Sequence, residues 1–330
     1  METIIGNLLE TIRIDEPYTY KNMSVAPLSI PLATGPDYLT MRQGFDTGVL
    51  TVQEISERGS VPELAVFNRG DVHTLLLDGE EIRGAKQNRV LNTSILVAPV
   101  AKCVIPVSCT EQGRWNYTSK QFEDSGILMA RSIRSHKQAS VTRNVRESRN
   151  YHSDQGEVWD QVQGLHRDLG TASATGAMRD AYELKKTALD DYAKAFASIK
   201  DINGIAVFID GTLVGVDFLS HQPAMNDLLP KLISSYAMDA LRGKDPSRST
   251  PQTTETVSQF LHNIGRCAVE SHPSQGVGED ARLEGSHLQG AALVAFGQVI
   301  HMAAFTKIAQ QASQGGMASL SRRRYFRLPM

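Results

Sequence analysis

A chain of 330 residues with 41% hydrophobic and 21% charged side chains has material for one large core or two intimate ones, in the proportions of an ordinary globular protein. Its formal net charge of −2 gives no global attraction to nucleic acid or to an anionic membrane surface. No apolar run approaches the roughly 20 residues that cross a bilayer, and Met1-Glu-Thr-Ile-Ile lacks the basic-then-apolar pattern of a secretory signal.

From Ser24 to Arg114 the chain reads as strands separated by turns. Leu50-Thr-Val-Gln alternates as a half-buried strand does. Leu64-Ala-Val-Phe and Val72-His-Thr-Leu-Leu-Leu flank Asn68-Arg-Gly-Asp and read as a hairpin. Ser94-Ile-Leu-Val-Ala and Cys103-Val-Ile-Pro-Val read as buried strands, with Pro99 and Pro106 marking edges or bends.

Between about Ser119 and Ile199 the period becomes helical. Val158, Val162 and Leu165 share one helical stripe, and Asp180 to Phe196 reads as a single long helix. Gly170-Thr-Ala-Ser-Ala-Thr-Gly separates the two as a loop. Asp210-Gly211, set between two β-rich runs, predicts a hairpin closed by a type I′ turn. A helix is expected from Met225 to Leu241, then an exposed loop from Arg242 to Thr254. A second, similar hairpin is expected around Phe296-Gly297, and Arg322 to Arg327 form a basic tail. One pair of similar hairpins falls short of the regular period of a repeat protein. The fold class expected is α+β, with mainly antiparallel sheets and a helical middle. Residues 1–118 form a β-rich part bearing the polar motifs, and 119–330 a part with helices and two hairpins; the two are expected to pack as one unit.

Several familiar motifs fail. Gly79 to Lys86 lacks the Gly-Lys-Ser/Thr ending of a phosphate loop, and Gly276-Val-Gly278 lacks a strand-turn-helix setting. Nine scattered histidines give no metal signature, and no Gly-x-Ser-x-Gly elbow occurs. The three cysteines, Cys103, Cys109 and Cys267, show no metal-type spacing and fit a reducing, cytoplasmic setting without disulfides. Arg131, Arg134, Lys137, Arg143, Arg146 and Arg149 form a basic stretch, read first as a solvated helix face and second as an attractor of phosphate groups. No aromatic platform interleaves it, so single-stranded nucleic acid is disfavoured.

Two segments carry the densest chemistry. In Asp78–Arg89, Asp78, Glu80, Glu81, Arg83, Lys86, Gln87 and Arg89 follow one apolar strand and precede another. Gly79 and Gly84 allow unusual backbone angles or close approach. In Ser108–Trp115, an apolar strand ends in Cys109, Glu111, Gln112, Arg114 and Trp115. Both segments also have plain readings: a charged hairpin tip, an inert core cysteine and a core tryptophan.

These segments, with Asp154-Gln-Gly-Glu-Val-Trp-Asp, Thr175-Gly-Ala-Met-Arg-Asp and Val299-Ile-His-Met-Ala-Ala-Phe, give the chain a resemblance. From about Ile30 to Lys307 it resembles the ARG and Rhodanese-Phosphatase-superfamily-associated Protein domain family. The resemblance implies an α+β domain of undefined activity, linked by association to ADP-ribose or NAD-derived metabolites. It also implies a candidate active site at the positions matching Asp78, Glu80, Glu81, Arg83, Cys109, Glu111 and Arg114.

Three functions follow as expectations. An enzyme, hydrolase or transferase, would use Glu81 or Glu111 as acid or base and Cys109 as nucleophile or pocket wall. Asp78, Glu80, Arg83, Lys86, Gln87, Arg89, Gln112, Arg114 and Trp115 would bind a phosphate-bearing, nucleotide-like molecule in one shared pocket. A sensor would use the same pocket without turnover. A scaffold would pair Glu81 with Arg83 and Glu111 with Arg114 inside a homo-oligomer. The residues specify no cofactor.

Overall fold

The computed structural model describes residues 1–31, 35–56, 62–243 and 253–307; the basic tail and most of the loop after Arg242 lie outside the described residues. In chain order the N-terminal elements are α1 (Glu2–Thr11), β1 (Arg13–Ile14), β2 (Tyr18–Tyr20), β3 (Met23–Ser29), β4 (Tyr38–Thr40), α2 (Met41–Asp46) and β5 (Leu50–Glu54). They are followed by β6 (Glu63–Asn68), β7 (His73–Leu76), β8 (Glu80–Gly84), β9 (Arg89–Leu91), β10 (Ile95–Val97), β11 (Ala101–Cys109) and β12 (Phe122–Leu128). The middle holds α3 (Arg131–Ser148), α4 (Gln155–Leu169), α5 (Met178–Leu184) and α6 (Lys186–Ala195). The last part is β13 (Gly204–Ile209), β14 (Thr212–Leu219), α7 (Gln222–Ala240), α8 (Thr254–Gly265), β15 (Ala268–Pro273), β16 (Glu279–Glu284), β17 (Leu288–Ala295) and β18 (Gln298–Thr306).

The fold is α+β with mostly antiparallel sheets. A nine-stranded sheet runs β1-β3-β13-β14-β18-β17-β16-β15, with β2 also on β3. A six-stranded sheet runs β12-β8-β9-β11-β6-β5, and a three-stranded sheet β10-β7-β4 contains the parallel pair β4–β7. The large sheet thus takes β1 to β3 from the start of the chain and its other strands from after Ile202.

Period-two alternation divides the large sheet between two cores. On β13, Ile205, Val207 and Ile209 face the helical middle, whereas Ala206 and Phe208 face α1 and α8. A third core, with Leu64, Val66, Ile82, Leu91, Ile105 and Val107, lies on one face of the six-stranded sheet. The two hairpins of the large sheet turn on Asp210-Gly211 (φ 48° and 78°) and Phe296-Gly297 (φ 53° and 74°). Positive φ at both central residues matches the right-handed twist of the flanking strands, as a type I′ turn requires.

Three expectations need correction. Strands form within both predicted runs, β6 and β7, but they make no hairpin, because β6 pairs with β5 and β11 while β7 joins β4 and β10. Asn68 redirects the chain between the two sheets: its amide donates to Val72 O at 2.8 Å and Ala98 O at 3.0 Å, and its Oδ1 accepts from Gly70 N–H at 3.0 Å. The helix expected from Asp180 to Phe196 breaks at Lys185 (φ −104°, ψ 9°) into α5 and α6. Each half is held separately, Tyr182 donating to Leu128 O at 2.7 Å and Tyr192 to Asn22 Oδ1 at 2.8 Å. Residues 122–128, expected in the helical middle, form β12, which lines the edge of β8 with Phe122 and Leu128 buried.

Candidate functional site

The six-stranded sheet brings the two polar segments side by side. Arg89 lies opposite both Ile82 on β8 and Cys109 on β11, and Glu81 lies opposite Val90. Side-chain alternation then assigns the faces. Ile82, Arg89 and Cys109 continue the row of Leu91, Val107, Ile105 and Leu64 along the third core, and Glu54, opposite Leu64, ends it. Glu81, Arg83 and Val90 stand on the other face. The segments therefore converge, but the sheet separates Glu81 and Arg83 from Arg89 and Cys109, and the expected single shared pocket is revised accordingly.

Around the β8–β9 turn the contacts are dense. Gly84 has φ 121°, and a Cβ there would meet Ser119 Oγ at 2.5 Å and Gln121 O at 2.8 Å, so the close approach needs glycine. Gln87 Nε2 donates to Glu111 O at 2.9 Å, and Gln87 Oε1 accepts from Arg89 Nη1 at 2.9 Å. Glu111 accepts from Arg114 Nε at 2.8 Å, Thr175 Oγ1 at 2.9 Å and Asn88 N–H at 3.4 Å. Arg114 also donates to Ala85 O, Asn88 Oδ1 and Asn116 O. Glu111 is thus a clamp between three loops, with its acceptor capacity largely used, rather than an open general base. Gln112 is exposed and accepts from Gln163 at 3.0 Å.

Trp115 and Tyr117 are 44% and 51% exposed and flank Lys86, whose ammonium lies 5.3 Å and 5.1 Å from their ring centres. The Arg89 guanidinium lies 5.6 Å from the Trp115 ring. Arg89 itself is fully buried; Nε and Nη2 have no hydrogen-bond partner, and neither carboxylate oxygen of Glu54, 3.9 Å away, has one. Burial pulls the Arg89 guanidinium down from its ordinary range, partly opposed by Cys109 and Glu54. Burial pushes the Cys109 thiol up to about 11, against the pull of Arg89. The thiolate needed for nucleophilic attack is therefore scarce near neutral pH, and Cys109 is a fully buried thiol at the end of the third core's row.

On the opposite face, Glu81 is fully buried and accepts from Thr110 Oγ1 at 2.6 Å, while its Oε2 has no hydrogen-bond partner. Burial pushes its carboxyl up to about 7, against the lowering influence of Thr110, Ser125 and Arg179. Arg83 does not pair with it. Arg83 bonds Glu123 at 2.7 Å on the surface, its side chain 43% exposed.

The remaining predicted residues belong to the interior. Asp78 holds Lys137 in a short contact, and Lys137 also donates to Leu91 O at 2.8 Å and Asn92 O at 3.1 Å. Glu80 binds Lys231 at 2.7 Å, and Lys231 reaches Asp124 at 2.8 Å. Burial alone would lower the Lys231 amine; Glu80 and Asp124 outweigh it and raise it, while burial raises the Glu80 carboxyl against the pull of Lys231.

A model of the ARG and Rhodanese-Phosphatase-superfamily-associated Protein domain matches residues 11–305. The chain belongs to that family. No curated protein and no solved structure matches it. The matched span of this ARG and Rhodanese-Phosphatase-superfamily-associated domain includes both polar segments and the helical middle.

Within the domain, the basic stretch proves to be half interior, which corrects the solvated face expected for it. Arg131, Arg134 and Lys137 are buried on α3, and only Arg143 and Arg146 form surface pairs, with Glu157 and Glu270. Arg134 grips Asp217 at 2.7 Å, and Tyr236 donates to the same carboxylate at 2.7 Å. Burial would raise Asp217, but Arg134 and His301 hold its carboxyl far below the ordinary range. Gly79 makes room for this helix, since a Cβ there would lie 2.9 Å from Arg134 Cδ. Sequence reasoning missed Glu54, Asn88, Thr110, Asp217, Lys231, Asp280, Arg282 and His301, and placed Arg134 and Lys137 on a solvated face. A signal existed for some of them: Asp217 and His301 each interrupt an otherwise apolar strand, and a buried ionisable group in such a run requires a partner.

Proposed function

We propose that this domain binds a phosphate-bearing, nucleotide-like small molecule on the surface framed by Trp115 and Tyr117. The observation that carries the reading is the exposed aromatic pair around Lys86, set above an Arg89 guanidinium with two N–H groups lacking hydrogen-bond partners. An indole face accepts a base or ribose whatever its sequence context, and stacking of this kind contributes about 1–3 kcal/mol per base. Lys86, Arg89 and Arg114 concentrate positive charge beside it, as a phosphate requires. An ADP-ribose or NAD-derived ligand, as the family resemblance implies, falls in this class.

The interior placement of the candidate catalytic groups supports binding without turnover. Glu111 is clamped, Cys109 is held as a thiol, and Arg83 points to solvent. A second reading, hydrolysis or group transfer, rests on one specific observation: Glu81, with an oxygen that has no hydrogen-bond partner, is tuned close to neutrality. For catalysis the sheet would have to open Glu81 to substrate from the face opposite Trp115.

The test is thermal stability of the pure protein against ADP-ribose, NAD, AMP and inorganic phosphate. A ligand at 100 times its dissociation constant stabilises by about 2.7 kcal/mol. Stabilisation by a nucleotide-like member of the panel, weakened in Trp115→Ala, supports the binding reading. Conversion of that ligand, abolished in Glu81→Gln, supports the catalytic one. A flat response across the panel opposes both.

A further inference from the structure

Between α3 and the large sheet lies a small buried chamber bounded by Asp78, Ser94, Gln138, Asp280, Arg282 and His301, with about 10 Å³ of room for the centre of a water molecule. It differs from the Trp115 surface in being lined almost wholly by buried side chains. The charges around it balance in pairs: Asp78 with Lys137, Asp217 with Arg134 at 2.7 Å, and Asp280 with Arg282 at 2.5 Å. After these pairs form, three buried polar atoms of the lining residues remain without a hydrogen-bond partner: the acceptors Asp78 Oδ2 and Gln138 Oε1, and His301 Nε2. Asp78 and Gln138 are 4% and 2% exposed, so bulk solvent does not satisfy them. The other end of the Gln138 amide already donates to Ala303 O at 3.5 Å, which leaves Oε1 as the acceptor.

We infer that the chamber is a binding site for one water molecule, which donates its two hydrogens to Asp78 Oδ2 and Gln138 Oε1. The volume is about the minimum that holds a single water, and a water with two or more polar partners is the ordinary occupant of such a space. The charge balance decides against an ion. Three acidic and three basic side chains already neutralise one another, and an added cation or anion would be an uncompensated buried charge, which a protein interior strongly disfavours. The water joins the loop before β8 to α3, a helix whose buried face is unusually polar.

The same chamber borders a serine, a histidine and an aspartate in relay. Ser94 Oγ lies 2.9 Å from His301 Nδ1 and accepts from Asp78 N–H at 2.8 Å, and His301 Nε2 lies 3.7 Å from Asp217 Oδ1. Hydrolases use such a series to activate the serine. Here a chamber of one-water size admits no substrate carbonyl, and the Asp217 Oδ1 that His301 approaches already accepts from Arg134 at 2.7 Å, while Tyr236 donates to Oδ2 at 2.7 Å. The relay is therefore part of the wall that orients the water, and Ser94 is not a nucleophile.

The test is a crystal structure of the full chain with ordered solvent refined, from crystals grown in bromide. One water-sized peak within hydrogen-bonding distance of both Asp78 Oδ2 and Gln138 Oε1 is expected, with no anomalous signal. An empty chamber, or a bromide or cation in it, overturns the assignment. In parallel, the native protein is incubated with a reactive fluorophosphonate and digested for mass spectrometry. No adduct on Ser94 is expected, and an adduct there overturns the buried relay. Both measurements use the unmodified protein, so neither depends on a variant folding.

Discussion

Glu81 and Arg89 stand on opposite faces of the β8–β9 ladder, because Glu81 pairs with Val90 and Arg89 with Ile82. A one-residue offset in a pleated strand is enough to separate them. The buried Glu81 carboxyl and the buried Arg89 guanidinium thus lie on different faces of one sheet.

The first prediction concerns Glu81. Its carboxyl is raised from 4.5 to about 7 by burial, so the folded protein binds this proton more tightly than the unfolded chain. The stability this confers is fully present below pH 4.5 and is lost as pH rises toward 7. The loss amounts to about 3 kcal/mol, because each tenfold difference in proton affinity is worth roughly 1.4 kcal/mol. Glu81→Gln keeps an acceptor for Thr110 and cannot ionise. Urea denaturation at several pH values should show the variant gaining on the wild type by about 3 kcal/mol between about pH 4.5 and 7.5. Parallel pH curves for the two proteins would remove Glu81 as the titrating group.

A second prediction concerns the interior pair. Asp217→Asn leaves Arg134 buried without its counter-charge and should cost about 3–5 kcal/mol, whereas a double change to Asp217→Leu and Arg134→Met should restore much of the loss. Chemical denaturation of the three proteins checks this. A loss under about 1 kcal/mol in the single variant, the range of a surface pair, would mean that the pair is solvated.

The cysteines give a third. Cys103, Cys109 and Cys267 are all free, and burial holds the Cys103 and Cys109 thiols up at about 11. A chromogenic thiol reagent should find three thiols in denaturant without reductant, with Cys109 unreacted in the native protein at about pH 8. Rapid modification of native Cys109, mapped by mass spectrometry, would restore it as a candidate nucleophile.

Much of the fold was legible because its signals are local. Asp210-Gly211 imposes its turn within four residues, and Val158, Val162 and Leu165 mark the inner face of α4 by spacing alone. Partner choice was not legible: β6 and β7 look like a hairpin until their pairing with distant strands is known. The α3 cations misled for a related reason. Arg134 and Lys137 look solvated until Asp217 and Asp78 arrive from 83 and 59 residues away. The site segments stood out by their charge density, but the face each side chain takes depends on register, which composition does not reveal.

The central claim is that the Trp115–Tyr117 surface binds a phosphate-bearing, nucleotide-like ligand, and titration calorimetry with ADP-ribose tests it most directly. Native protein and Trp115→Ala would be compared at matched folded concentration and at two ionic strengths. Removing the stacking face should weaken binding by about 1–3 kcal/mol, or roughly 5- to 150-fold, and added salt should weaken binding to both proteins. Equal affinity in the two proteins, or no heat of binding in either, would contradict the account.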